Sequence, residues 1–228
     1  WELIDVGHYD TDAYFQDMLR ITQGQTDKTL ARKLADESYP TMVWMAELGV
    51  QWDWTSLWSM ATGEGRRFNA GAVIQAKNKG VGLMDNLYSA MNRAGIDITY
   101  QSKMLSFLQD DKSSVVGVKV RTPSGVEDVR ASAVVLASGG FEANAEMRAR
   151  YLGPGWDQVK VRGSRFNTGE TLRMALEIGA NPVGHWQGCH ATPVDGDSAP
   201  MGQLELTDLT NRLSYPYSIM VNLSLIHI

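Results

Sequence analysis

Ala133-Val134-Val135-Leu136-Ala137-Ser138-Gly139-Gly140-Phe141-Glu142-Ala143-Asn144 is the stretch on which the fold turns. Its opening apolar run does not alternate, and it reads as a strand buried on both faces, because a strand covered by helices on either side has no water-facing side to mark with polar residues. Ser138-Gly139-Gly140 ends the run, and helical spacing follows from Ala143 to Tyr151. Strand, glycine turn and helix make up the repeating unit of a doubly wound α/β sheet, where ligands sit beyond the carboxyl ends of the strands. Two readings of Ala137 to Gly140 stay open: a tight connection, or a backbone that approaches a ligand closely because no Cβ stands in the way.

Immediately upstream the period is 2. Ile96, Ile98 and Tyr100, then Met104 to Leu108, Val115 to Val120 and Val126 to Val129, read as strands. Asp110-Asp111-Lys112-Ser113 and Pro123-Ser124-Gly125 supply hairpin turns, so a β-meander is expected before the buried strand. Further upstream, Asp12 to Leu48 has helical spacing interrupted at Gly24 and Pro40, which predicts two or three amphipathic helices, with an opening at Thr26-Asp27-Lys28-Thr29 and a stop at Gly49. Trp52, Trp54 and Trp58 either pack a core or line a ligand site. Gly63 to Gly82 reads as a loop, and Leu83 to Ala94 as a helix ended by Gly95. Lys79-Gly80-Val81-Gly82 lacks a phosphate-loop pattern and a clear preceding strand, and reads as a flexible helix entry.

Downstream, Asn167-Thr168-Gly169-Glu170 precedes a helix that carries Leu172, Ala175 and Leu176 on one face and ends at Gly179. Asn167 and Glu170 have capping-box spacing, a sufficient structural explanation; the alternative is a Glu170 carboxylate that accepts a hydroxyl from a sugar-like ligand. His185, Trp186, Gln187, Cys189 and His190 form the one dense polar and aromatic cluster near the C-terminal end.

Composition narrows the field. The chain has 228 residues, 43% hydrophobic and 21% charged, enough to bury a core. Its formal charge of −5 is not gathered into blocks, which argues against a nucleic-acid partner. The single cysteine, Cys189, excludes an internal disulfide and, beside so few histidines, a structural zinc site of about four ligands. No apolar run approaches the roughly 18 residues of a membrane-spanning helix. Neither an initiator Met nor an export signal opens the chain at Trp1-Glu2-Leu3-Ile4-Asp5, so an internal piece of a longer protein is expected, and a cytoplasmic location. After an expected strand at Tyr217 to Asn222, Leu223-Ser224-Leu225-Ile226-His227-Ile228 resembles a translated sequencing adaptor and is set aside as a non-native tail.

The run Val134 to Asn144, with Met147-Arg148 and Tyr151-Leu152-Gly153-Pro154, resembles the Gly-Gly-Phe segment of the fumarate reductase and succinate dehydrogenase flavoprotein family. Thr168-Gly169-Glu170-Thr171 is similar to that family's Thr-Gly-Asp-Gly segment, with Glu for Asp and Thr for Gly. Gln187-Gly188-Cys189-His190-Ala191-Thr192 is similar to its Gln-x-His-Pro-Thr segment, with one residue more between Gln and His. Phe141 to Pro154, Arg162 to Gly169 and Tyr215 to Asn222 look most like the tricarballylate dehydrogenase members.

The resemblance implies an α/β fold: a doubly wound, Rossmann-like FAD-binding domain with a β-meander over residues 1–183, lacking its first βαβ unit because no Gly-x-Gly-x-x-Gly occurs, then the start of a capping substrate domain over 184–222 and the tail at 223–228. It implies FAD as cofactor, held by Met104, Ala137, Ser138, Gly139, Gly140, Thr168, Gly169 and Glu170, and His190 as a substrate-carboxylate ligand. The family's catalytic arginine lies beyond the matching segment, so no catalytic residue is assigned. The implied activity is dehydrogenation of a di- or tricarboxylic acid, tricarballylate to cis-aconitate in type, with hydride passing to the flavin and electrons to a separate acceptor. The alternatives are a fumarate-reductase-like or ketosteroid-dehydrogenase-like flavoenzyme, or a non-catalytic flavin-binding fragment.

Overall fold

The computed structural model describes residues 4–5, 7–55, 59–62, 65–68, 74–203 and 219. Trp58, the expected strand at 217–222 apart from Ile219, and the tail at 223–228 lie outside the described residues. The chain divides into two compact units, Trp1–Thr99 and Tyr100–Ile228. Among the described residues no helix is long and apolar enough to cross a membrane.

The first unit contains β1 (Ile4–Asp5), α1 (Thr11–Ile21), α2 (Lys28–Glu47), β2 (Trp52–Trp54), β3 (Ser59–Thr62), β4 (Gly65–Phe68), β5 (Ile74–Ala76) and α3 (Lys79–Arg93). Asp10 starts α1 by accepting from Ala13 N–H at 2.8 Å, and Asp27 starts α2 by accepting from Thr29 and Leu30 N–H at 2.9 and 3.0 Å. Each thereby satisfies donors that the first helical turn leaves unpaired. Ala31 and Ala35, one turn apart, are buried, and Arg32 joins Asp12 of α1 at 2.5 Å.

Pro40, expected to break the helix, lies inside α2. A proline removes one intrahelical bond and costs about 3 kcal/mol, yet tertiary anchors can outweigh it. Here the segment beyond Pro40 is held from outside: Trp52 Nε1 donates to Met42 O at 3.2 Å and Arg93 Nη2 to Leu48 O at 2.5 Å. Two helices therefore form where up to three were expected. The helix ends as expected at Gly49, whose φ of 103° suits glycine, with Gly49 N–H on Ala46 O and Val50 N–H on Met45 O.

β2 pairs antiparallel with β5, and β4 lies between β3 and a parallel β1. Trp54 packs its ring 5.4 Å from that of buried Phe68, as the packing reading expects, and Trp52 ties its indole N–H to Met42 O. Lys79-Gly80-Val81-Gly82 departs from the loop reading: it is the first turn of α3, and β5 does precede it. A Cβ on buried Gly82 would run into the Lys77 carbonyl, so this glycine permits a tight strand-to-helix turn rather than flexibility.

The second unit holds the meander β6 (Lys103–Gln109), β7 (Val115–Thr122) and β8 (Gly125–Arg130), joined antiparallel as the alternation predicts. Helix α4 (Ala145–Leu152), a 3-10 turn at Trp156–Gln158 and α5 (Glu170–Glu177) follow. Among the described residues Ala143, Met147, Val161 and Met174 are its buried apolar side chains.

Two expected strands are not paired. Ile96 to Tyr100 and Ala133 to Ala137 carry no strand assignment, and Val135 is 88% exposed. A strand exists only where neighbours take its N–H and C=O groups. Among the described residues no strand pairs with either run; two bonds of the 96–100 run, Ile96 N–H to Met91 O and Ser102 Oγ to Tyr100 O, are local.

Candidate functional site

Two turns of the second unit are laced together. Ala143 N–H donates to Asn167 O and Asn144 Nδ2 to Thr168 O, each at 2.9 Å, while Ser138 and Thr171 hydroxyls share a hydrogen bond. Asn144 also caps α4 through Met147 N–H at 3.1 Å. The segment after the Gly-Gly turn is thus fixed against the segment before α5.

Close approach explains the glycines. Gly139 has φ of 76°, and a Cβ there would lie 2.8 Å from Asn167 Oδ1. Gly169, at φ 71°, would place a Cβ 2.5 Å from Met147 Sδ and 2.8 Å from Phe141 Cβ. Gly169 is also the cap residue of α5, with no side-chain hydrogen bond to the helix. The capping-box reading is therefore corrected: Asn167 lies too early to cap, and its Nδ2 donates to Glu142 Oε1 instead.

Lys103, beside Met104, pairs with Glu170 Oε1 at 2.8 Å and ties the start of β6 to α5. Met104, Ser138, Gly139, Thr168, Gly169 and Glu170 are drawn into one neighbourhood by these links, with Ala137 and Gly140 the flanking turn residues. Lys103 was missed in the sequence because a lone lysine at a strand edge carries no pattern. Both partners of the pair are about half exposed, so its contribution to stability is at most about 1 kcal/mol.

A cavity of about 680 Å³ adjoins Gly140. Phe141, Glu142, Arg148, Arg162, Cys189 and His190 are among its lining residues. His190 thus reaches the wall that begins where the Gly-Gly turn ends. Behind the turn, Phe141, Tyr151 and Trp186 rings gather with centroids 4.8 to 6.0 Å apart, which anchors the His185 to His190 segment to α4. His185 does not line the cavity; its Nδ1 would lie 2.6 Å from a Cβ on Gly188.

Arg148 is the functional candidate that sequence reasoning passed over. It is 5% exposed, and its guanidinium donates to the carbonyls of Trp156, Glu142, Asp157 and Val159 at 2.7, 2.5, 2.9 and 3.3 Å. The available signal was its position beside Met147 on a short helix whose inward face a charge would not ordinarily occupy.

These features describe an α/β unit in which glycine-containing turns adjoin a cavity. The FAD binding domain model matches residues 4–192, and the chain belongs to that family, whose cofactor is FAD. The chain is 29% identical over 181 residues to a probable fumarate reductase, Ifc3, of Shewanella frigidimarina (strain NCIMB 400), covering 78% of this chain and 30% of the relative. It is 29% identical over 166 residues to urocanate reductase of Eggerthella lenta, covering 69% of this chain and 26% of the relative. Among solved structures, the open conformation of a flavocytochrome c3 fumarate reductase superimposes with a TM-score of 0.65 at 28% identity, over 76% of this chain and 30% of that one. The chain therefore spans under a third of the length of these relatives.

The residues present fit FAD. Among the described residues, positions 132–140 make no backbone hydrogen bond to another segment, so their N–H groups are not taken up by the backbone of that segment's neighbours, and Gly139 and Gly140 have no Cβ of their own. A pyrophosphate or sugar hydroxyl requires such donors.

Proposed function

We propose that this chain is the cofactor-binding part of an FAD-dependent oxidoreductase that acts on a carbon–carbon bond of a small di- or tricarboxylic acid. The observation that carries this reading is the continuity between the Gly139-Gly140 turn and a cavity walled by Arg148, Arg162 and His190. FAD bound along the turn would supply the two-electron chemistry. Met104, Ala137 to Gly140, Thr168, Gly169 and Glu170 are the residues that would hold it. Glu170 keeps one carboxylate oxygen on Lys103, which orients the group for a hydroxyl of the cofactor.

His190 would bind a substrate carboxylate. A protonated or donor imidazole at the wall forms a charge-assisted hydrogen bond, which fixes the acid so that one carbon faces the turn. The apolar body of Phe141 on the same wall excludes water from that carbon. A tricarballylate-to-cis-aconitate dehydrogenation follows from the resemblance of residues 141–154 and 162–169. The similarity to fumarate and urocanate reductases favours reduction of an unsaturated acid as the second reading. A separate electron acceptor and a cytoplasmic location belong to the same proposal, as does a capping domain that begins near residue 184.

The test is a substrate panel on the full-length protein with FAD: tricarballylate, succinate, fumarate, urocanate and a 3-ketosteroid, with anaerobic flavin absorbance as readout. Bleaching of oxidised flavin by tricarballylate supports dehydrogenation, and reoxidation of reduced flavin by an unsaturated acid supports the reductase direction. Response to the steroid alone contradicts the carboxylate reading.

A further inference from the structure

Arg148 is a buried cation without an anion. It is 5% exposed, and no carboxylate among the described residues forms an ion pair with it. A guanidinium carries five N–H donors. The Nε donor goes to Trp156 O, both Nη2 donors to Asp157 and Val159 O, and one Nη1 donor to Glu142 O. The second Nη1 donor has no protein acceptor among the described residues, although Arg148 lines the cavity.

Carbonyl dipoles satisfy the hydrogen bonds of a guanidinium but leave its unit charge uncompensated, and burial of such a charge is costly unless an anion completes the site. The other charged groups on the wall do not cancel it. Lys160 is cationic too, and its Nζ is taken by the Gly196 and Ser198 carbonyls; Arg162 has a partner of its own; His190 carries no negative charge. Among the described residues Glu142 is the one acid on the wall, and its Oε1 accepts from the neutral Asn167 amide, so a single carboxylate stands against the three cations Arg148, Lys160 and Arg162 and leaves the wall with a net positive charge. Arg148 also bridges the two walls, since Glu142 belongs to one and Trp156 to Val159 to the other.

We propose that Arg148 is the specificity-determining residue of this cavity: it clasps the 140–142 wall to the 156–159 wall, and its uncompensated charge selects an anionic ligand over a neutral one of the same shape. This rests on the carboxylate reading above and adds the residue that sets the preference.

The experiment uses the full-length FAD-loaded protein and follows the oxidised flavin difference spectrum during titration, without turnover. Probes are fumarate, its neutral dimethyl ester, and inorganic sulfate. In the wild type the anion binds better than the ester. Arg148→Met is expected to weaken anion binding by about tenfold or more while the ester changes by less than about threefold. Arg148→Lys, which keeps the charge and loses the fork, retains the anion-to-ester preference even where both affinities fall. A purely structural role would lower both probes together in the Met variant, and that result overturns the proposal. Should Arg148→Met not fold, Arg148→Gln, which keeps donors for the carbonyls, gives the same comparison. A wild type that shows no preference for an anion overturns it without any variant. Binding of sulfate but no carboxylate contradicts the carboxylate reading, yet Arg148 is still judged by whether its loss abolishes sulfate binding.

Discussion

At the scale of single residues, the site combines groups whose roles separate under substitution. His190 lies on the cavity wall, where the proposal assigns it one charge-assisted contact to a carboxylate. His190→Ala in the full-length enzyme is expected to raise KM for a carboxylate by about tenfold and to change kcat less, as loss of uniform binding does. Equal KM values for both enzymes contradict the assignment. Gly169 has a left-handed φ and no room for a Cβ. Gly169→Ala should therefore cost about 1–3 kcal/mol, read as a lower thermal midpoint together with weaker FAD retention. An unchanged midpoint would show that Met147 and Phe141 yield without cost. The Gly139-Gly140 turn was legible because glycines after an apolar run mark a local break, whereas His190 was singled out only by the resemblance of Gln187 to Thr192. Arg148 was not, since its meaning depends on four carbonyls that come from the turn and from a segment beyond its own helix.

Elements tell a different story. The meander was legible because a two-residue period and turn-forming clusters are local properties. The continuous helix α2 was not, since what carries it past Pro40 is an indole from β2 and a guanidinium from α3. Pro40→Ala restores a backbone donor and is expected to stabilise the chain by about 1–3 kcal/mol, measured by urea unfolding. A midpoint that falls instead would show that Pro40 is needed. The runs at 96–100 and 133–137 have strand composition without ladder partners, so the sequence shows their propensity but not their pairing.

The hairpin of α1 and α2 also gains pH dependence from its acids. Asp10 is held below the usual carboxylate range by Ala13 N–H and by His8, and Asp36 by the Arg32 guanidinium. A folded pKa below the unfolded one means that this support is fully present above the unfolded value of about 4 and is lost as pH falls through the lower folded values. Amide exchange in α1 and the first half of α2 should accelerate in that window beyond the intrinsic trend. Protection that stays constant across it contradicts the assignment.

For the molecule as a whole, composition sets the class and the second unit sets the site. A formal charge of −5 that is not gathered into blocks argues against a nucleic-acid partner, and the laced turns at 137–144 and 166–171 adjoin a cavity lined by ionisable side chains, where the proposal puts cofactor beside substrate. That juxtaposition is the central claim, and a crystal structure of the full-length protein with FAD and a dicarboxylate tests it most directly. Expected are FAD atoms within hydrogen-bond distance of the Ser138 to Gly140 backbone and of Glu170, with the acid in the cavity against His190. FAD bound away from the Gly139-Gly140 turn, or an acid held outside that cavity, would contradict it.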